Sequence, residues 1–283
     1  MRKSIETIKI SNCHSINLLS NMFKWAKKVT LKNITNVNFK IGLEVYWSEG
    51  KREFVLENCG VEKLNEYIFQ NGTSFSKFSK IEILNSTIER LDSHTFNNTE
   101  IDDFTITDSK INAIANASFD MTVQQHLTFS RNTVEEMHAN SFVALKANPD
   151  LTIRIEGNDM KRLLSQKFNL NFDSSMNNVT LSKVKFTKNY INHDCECDLF
   201  EAFEGHHERE ELKKHIYGKL ILSFECNYNS RHYDWITFDE LVCADEHGHG
   251  EHGHEDKKNQ GFFESKYSSQ NCIDVKDDLI IPE

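Results

Sequence analysis

Four histidines crowd the stretch DEHGHGEHGHED, at His247, His249, His252 and His254. Imidazoles at that density can ligate zinc, copper or nickel, weakly where the backbone is unordered. Four cysteines form a second set, with Cys195 and Cys197 as C-x-C, Cys226 after 28 intervening residues and Cys243 after 16 more. Such thiols hold zinc in a reducing compartment and pair as disulfides in an oxidising one. A third chemistry is modification, because N-x-S/T acceptor sequences for glycans stand at Asn33, Asn71, Asn85, Asn97, Asn116 and Asn178. Catalysis has no counterpart signal. The chain lacks a phosphate-binding glycine loop, a G-x-S-x-G and an H-E-x-x-H, so it reads as a non-enzyme with no cofactor.

The elements that position these groups come from a chain of 283 residues with 38% hydrophobic residues and only 2 prolines, enough for a continuous core. A net charge of -10 argues against nucleic acid, whose backbone needs a concentrated excess of Lys and Arg. No run of about 18 apolar residues is present, so no membrane span is expected.

One frame recurs along the body. FVLENCGVEKLNEYIF at 54–69 matches IEILNSTIERLDSHTF at 81–96, FTITDSKINAIANASF at 104–119, LTFSRNTVEEMHANSF at 127–142 and IRIEGNDMKRLLSQKF at 153–168. Looser copies use Ile8, Ile10, Cys13 and Phe23, then Val29, Leu31 and Ile34, and finally Val179, Leu181, Val184 and Phe186. Successive turn positions, Cys13, Ile34, Cys59, Ser86, Ser109, Asn132, Asn158 and Val184, are 21, 25, 27, 23, 23, 26 and 26 residues apart. A fixed period of this size marks a solenoid. Apolar residues two apart, such as Ile81 with Ile83, point to one side of a strand. The terminal phenylalanine closes each coil from the opposite wall, so these rings are spine rather than site. The turn position favours Asn or Cys, whose small polar side chain satisfies backbone groups at a buried bend; Ile34 and Val184 cannot do this, so their repeats are expected to be irregular. Cys13 and Cys59 lie two coils apart, about 10 Å from strand spacing, beyond disulfide reach, and are expected as buried free thiols.

The period and the L-x-L-x-x-N/C-x-L frame resemble the leucine-rich repeat family. That resemblance implies an α/β solenoid of about eight repeats with a parallel concave sheet over residues 1–191. Cys195, Cys197, Cys226 and Cys243 resemble the cysteine-rich C-terminal cap of its extracellular members, here residues 192–244. The resemblance implies pairs of Cys195 with Cys226 and Cys197 with Cys243. Where the family has a tryptophan after the second cysteine this chain has Glu201, with Phe200 and Phe203 close by. In general style the repeats are similar to secreted arthropod members of the family, which implies a carrier or stabilising non-catalytic subunit.

The sequons and cap together place the chain outside the cell, although MRKSIETIKISNCHS carries no apolar signal segment; the start is read as N-terminally incomplete. Asn71, Asn97 and Asn116 fall on the connecting side, whereas Asn33, Asn85 and Asn178 fall on or beside exposed strand positions. Those positions run Lys9, Thr30, Val55, Glu82, Thr105, Thr128, Arg154 and Thr180, with Ser11, Lys32, Glu57, Leu84, Thr107, Ser130, Glu156 and Ser182 two residues on. Within them, Glu82, Thr105, Thr128, Arg154 and Glu156 are the candidate partner-binding residues. Cys272 is left over, available for an intermolecular disulfide. Residues 245–283 read as an acidic, disordered tail. The expected function is a secreted, glycosylated protein-binding module; the other reading is a protein that binds divalent metal weakly through its histidine tail.

Overall fold

The computed structural model describes residues 5–19, 23, 26–40, 51–69, 76–164, 173–194, 219, 223–229 and 231–234. Successive coils stack with their strands parallel and in register. In the first three coils a single bent strand makes both legs: β1 (Ile5–Leu18), β2 (Ala26–Phe39) and β3 (Arg52–Leu64). From the fourth coil the bend divides the legs into β4 (Ser76–Leu84) with β5 (Thr87–Leu91), β6 (Thr99–Thr107) with β7 (Lys110–Ile114), and β8 (Met121–Ser130) with β9 (Thr133–His138). The next coil carries β10 (Lys146–Ala147), β11 (Thr152–Glu156), β12 (Asp159–Met160) and β13 (Leu163–Leu164). Then come β14 (Val184–Thr187), β15 (Asn189–Asp194) and β16 (Phe224–Tyr228), which pairs with β15 in parallel and with β17 (Arg231–Asp234) antiparallel.

The result is a mostly parallel β solenoid. Two 3₁₀ turns, Ser174–Asn178 and Leu181–Lys183, and the helical residue Lys219 are the helix among the described residues. Past the bend the second legs form a second parallel ladder, the later part of β3 with β5, β5 with β7 and β7 with β9. Its apolar residues are three apart rather than two: Val61 and Leu64, Ile88 and Leu91, Ile111 and Ile114, Val134 and Met137 all face inward and pair coil to coil. Two outward residues separate each pair, a spacing that alternation does not suggest.

The bend between legs has a single backbone solution. Asn12, Asn33, Asn58, Asn85, Asp108, Arg131, Gly157 and Lys188 all take left-handed φ, between +45° and +65°. Asn, Asp and Gly accept that region at the least cost, which is why they fill most of this column. The next residue turns inward. Ser86 N–H donates to Ser109 Oγ (3.1 Å), Ser109 N–H to Asn132 Oδ1 (3.0 Å) and Asn132 N–H to Asn158 Oδ1 (3.0 Å). Buried backbone donors at these bends are thus satisfied by the turn residue of the following coil.

Phenylalanines fill the wall between the sheets. Phe69, Phe96, Phe119 and Phe142 stack at centroid distances of 5.0, 6.2 and 4.5 Å with planes within 9° of parallel. Phe54, Phe78, Phe104 and Phe129 meet them edge-on. Each such pair adds about 0.5–1.5 kcal/mol beyond burial. Cys13 and Cys59 are buried free thiols in the same interior.

The last frame is corrected. Val184 and Phe186 pair with Ile153 and Ile155, so they are the inward strand residues that Val179 and Leu181 were expected to be. The turn residue is Asn189, not Val184, and it follows Asn158 by 31 residues, the two 3₁₀ turns taking up the excess. Val179 is still buried, in a turn rather than a strand.

Candidate binding faces

The outward side of the first legs brings four of the five candidate residues into one straight row. Glu82 pairs with Thr105, Thr105 with Thr128 and Thr128 with Arg154. The row continues to Lys185 rather than to Thr180, and the neighbouring row runs from Glu156 to Thr187 rather than to Ser182. Glu82, Thr105 and Thr128 are half-buried and Arg154 is exposed. Glu156 stands one row over and is engaged from both sides, by Arg154 and by Lys185 at 2.8 Å. Those two cations hold its carboxyl below the ordinary glutamate value of 4.5.

A third row crosses the same face with alternating charge. Lys28 pairs with Glu53, Glu53 with Lys80, Lys80 with Asp103 and Asp103 with His126. Lys28 Nζ lies 2.6 Å from Glu53, Lys80 Nζ 2.9 Å from Glu82, and Lys32 Nζ 2.7 Å from Glu57. Exposed pairs of this kind add little stability. They do give the face a fixed pattern of charge, which serves selection of partners more than affinity.

Two features were not anticipated as sites. Along the bend an amide ladder runs on the surface, with Asn33 Nδ2 donating to Asn12 Oδ1 (2.9 Å), Asn58 to Asn33 (2.9 Å) and Asn85 to Asn58 (3.4 Å). Arg131 extends it by a two-pronged bond to Asp108 at 2.6 and 2.7 Å, which lowers the Asp108 pKa. The recurrence of Asn, Asp and Gly just before each turn position was the available signal. The second feature lies in the closing turns, where His94 Nδ1 meets Asp120 Oδ2 at 2.7 Å and its ring stacks on half-exposed Tyr67. A histidine oriented by a carboxylate is half of an acid–base constellation. The hydroxyls of the same turns are committed elsewhere: Thr95 donates to the Leu64 and Asp92 carbonyls and Ser118 to those of Leu91 and Ala115. This pair therefore closes adjacent coils.

Among the sequon asparagines, Asn33 and Asn85 sit in the bend ladder and Asn116 in a closing turn, all exposed. Asn97 is half-buried in a turn, and Asn178 is exposed at the end of a 3₁₀ turn rather than beside a strand. Asn71 lies outside the described residues, as do Cys195, Cys197, Cys243 and Cys272. Cys226 is fully buried on β16 and is disulfide-bonded. The histidines of the tail, His247, His249, His252 and His254, also lie outside the described residues. Among the described residues no cluster of His, Cys, Asp and Glu could hold a metal ion, and no helix is long and apolar enough to cross a membrane. A cavity of roughly 20 Å³ beside Phe23, Phe54, Phe69 and Phe78 has room for about one water. Buried Arg52 lines it, and desolvation lowers its guanidinium pKa to about 10.

Set beside known proteins, the chain matches no family model, no curated protein and no solved structure.

Proposed function

We propose that this chain is a secreted, glycosylated, non-enzymatic protein-binding module of leucine-rich repeat type. One observation carries the reading: Glu82, Thr105, Thr128 and Arg154, from four successive coils, stand in register on the outward side of a sheet whose inner side is fully buried. A partner meeting this row would find little left to order, and rigid display lowers the entropy cost of association. Threonines between charged ends suit a protein surface better than a small ligand, which needs a concave, enclosed site. The exposed sequon asparagines and the disulfide at Cys226 support an oxidising compartment. Cys226 with Cys195 and Cys197 with Cys243 complete the proposed cap.

Peptide mapping of unreduced protein from its natural source tests the compartment. Glycans at Asn33, Asn85 or Asn116 together with the two linked cysteine pairs are expected; bare asparagines and reduced cap thiols would overturn it. The face is tested by affinity capture from the extracellular fluid of that source. T105R/T128R, substituted at outward positions, should lose every partner that the parent chain retains. Equal capture by both would remove the first-leg face as the binding surface.

A further inference from the structure

The bend column changes character along the stack. Asn12, Asn33, Asn58 and Asn85 fill its earlier positions, and Asp108, Arg131, Gly157 and Lys188 the later ones. Gly157 is exposed and has no side chain, so a notch opens in the column between Arg131 and Lys188. Adjacent coils lie about 4.8 Å apart, which sets these two residues about 10 Å from each other. That gap suits one carboxylate hydrogen-bonded from both sides at about 2.8 Å.

Donors stand on both flanks. Arg131 commits Nε and Nη2 to Asp108 and Thr107, which leaves the two N–H groups of Nη1 on the edge away from Asp108. Lys188 is exposed, with no carboxylate in ion-pair range among the described residues. Beside the notch on the first-leg face, Arg154 and Lys185 share the one carboxylate of Glu156, whose side chain is 12% exposed against 49% and 60% for the two cations. Past the bend Asp159 is held by Lys161. In the earlier coils, by contrast, Lys27, Lys28 and Lys32 each have a glutamate of their own, Glu6, Glu53 and Glu57. Around the notch, Arg131, Arg154, Lys185 and Lys188 meet only the carboxylates of Asp108 and Glu156.

We propose that the Gly157 notch, ringed by these four cations, is the corner of the first-leg face that takes an acidic side chain of a protein partner. The inference rests on the binding function proposed for that face and adds the chemistry of what it binds. The row from Glu82 through Thr105 and Thr128 runs into this corner at Arg154, so a partner lying along the row brings a residue to the notch. Asp108 and Glu156, set among the cations, repel a densely charged polyanion and accept a peptide whose acids are few and spaced.

Fluorescence anisotropy on the full chain, with a labelled decapeptide carrying three spaced glutamates, tests the notch in about 50 mM salt. Half-saturation below about 1 mM is expected, and the same peptide with glutamines should not bind. Lys188→Asn suits the left-handed backbone there and should weaken binding at least about fivefold. Gly157→Asp sets the chain's own carboxylate in the notch, at a φ that Asp108 already takes in this column, and should weaken binding at least about tenfold with far-ultraviolet dichroism unchanged. A parent chain that does not bind the peptide, or parent and variants that bind it equally, overturns the notch; if T105R/T128R still loses its captured partners, the binding face stands without it. A heparin fragment of similar length that binds more tightly than the peptide overturns the assignment to an acidic protein segment. Retention of every partner by T105R/T128R counts instead against the face itself.

Discussion

Asn158 Oδ1 accepts two hydrogen bonds from Asn132, one from its backbone N–H at 3.0 Å and one from its side-chain amide at 3.1 Å. Asn158 passes the arrangement on. Its own amide donates to Asn189 Oδ1 at 2.8 Å and to the Phe129 carbonyl at the same distance. A single side chain therefore satisfies two donors and two acceptors in the coils on either side of its own, in an interior where water is excluded.

Asn158→Ala should for that reason cost about 3 kcal/mol, since each buried polar group left without a partner costs about 1–3 kcal/mol. Asn158→Ser should recover part of the loss, because serine plays this part at Ser86 and Ser109. Urea unfolding midpoints check both, and an alanine variant as stable as the parent would contradict the ladder's role.

Two glycines should respond to alanine differently. A Cβ on Gly60 would stand 2.1 Å from the Thr35 carbonyl oxygen, a contact that only backbone movement relieves. Gly157 has φ of +65°, and a Cβ there would meet only ordinary van der Waals contacts, the nearest to Arg131 Cγ at 3.4 Å. Gly60→Ala is expected to lose about 3 kcal/mol or more, and Gly157→Ala about 1–2 kcal/mol from left-handed strain alone. Gly157→Asn should be close to neutral, because asparagine already occupies that column four times, at Asn12, Asn33, Asn58 and Asn85. Thermal unfolding of the three variants gives the ranking.

The Cys59 thiol is pushed up to about 11, chiefly by burial. It should resist thiol reagents at about pH 8 in the folded protein and react once the chain unfolds, since the thiolate is the nucleophile. Cys59 Sγ accepts the Ile34 N–H and donates toward the Glu57 carbonyl at 3.3 Å. Cys59→Ser should therefore stay within about 1 kcal/mol of the parent, whereas Cys59→Val should cost about 2 kcal/mol by orphaning that N–H. Quantified labelling and unfolding midpoints test the pair.

Glu156 sets a pH dependence. Arg154 and Lys185 hold its folded pKa below the unfolded value near 4.5, so the folded chain gives up this proton more readily. The bridges contribute fully above that unfolded value, and their contribution is lost as pH falls through the folded one. Glu156→Gln should therefore lower stability at neutral pH and flatten the acid side of the curve, the difference from the parent shrinking as pH falls below about 4.5. An unchanged acid slope would show that the bridges contribute nothing.

The sequence alone determined the coil. Five copies of one frame placed the phenylalanine column, the paired inward residues of the first legs and the buried turn residues, because every coil must present the same inward positions to the coils on either side. Glu82, Thr105, Thr128 and Arg154 fell into one row for the same reason. Tertiary structure decided the rest. Pairs such as Ile88 and Leu91, three apart, fit a strand only when the next coil supplies its hydrogen bonds, so the second sheet is invisible to alternation. Val179, Leu181 and Val184 satisfy the apolar frame as well as Val184 and Phe186 do. Pairing of Val184 with Ile153, and Asn189 capping the Asn158 N–H at 3.3 Å, select the later register. Apolar spacing records which residues avoid water; which neighbour each meets is settled by backbone hydrogen bonds between coils, and those form only in the assembled stack.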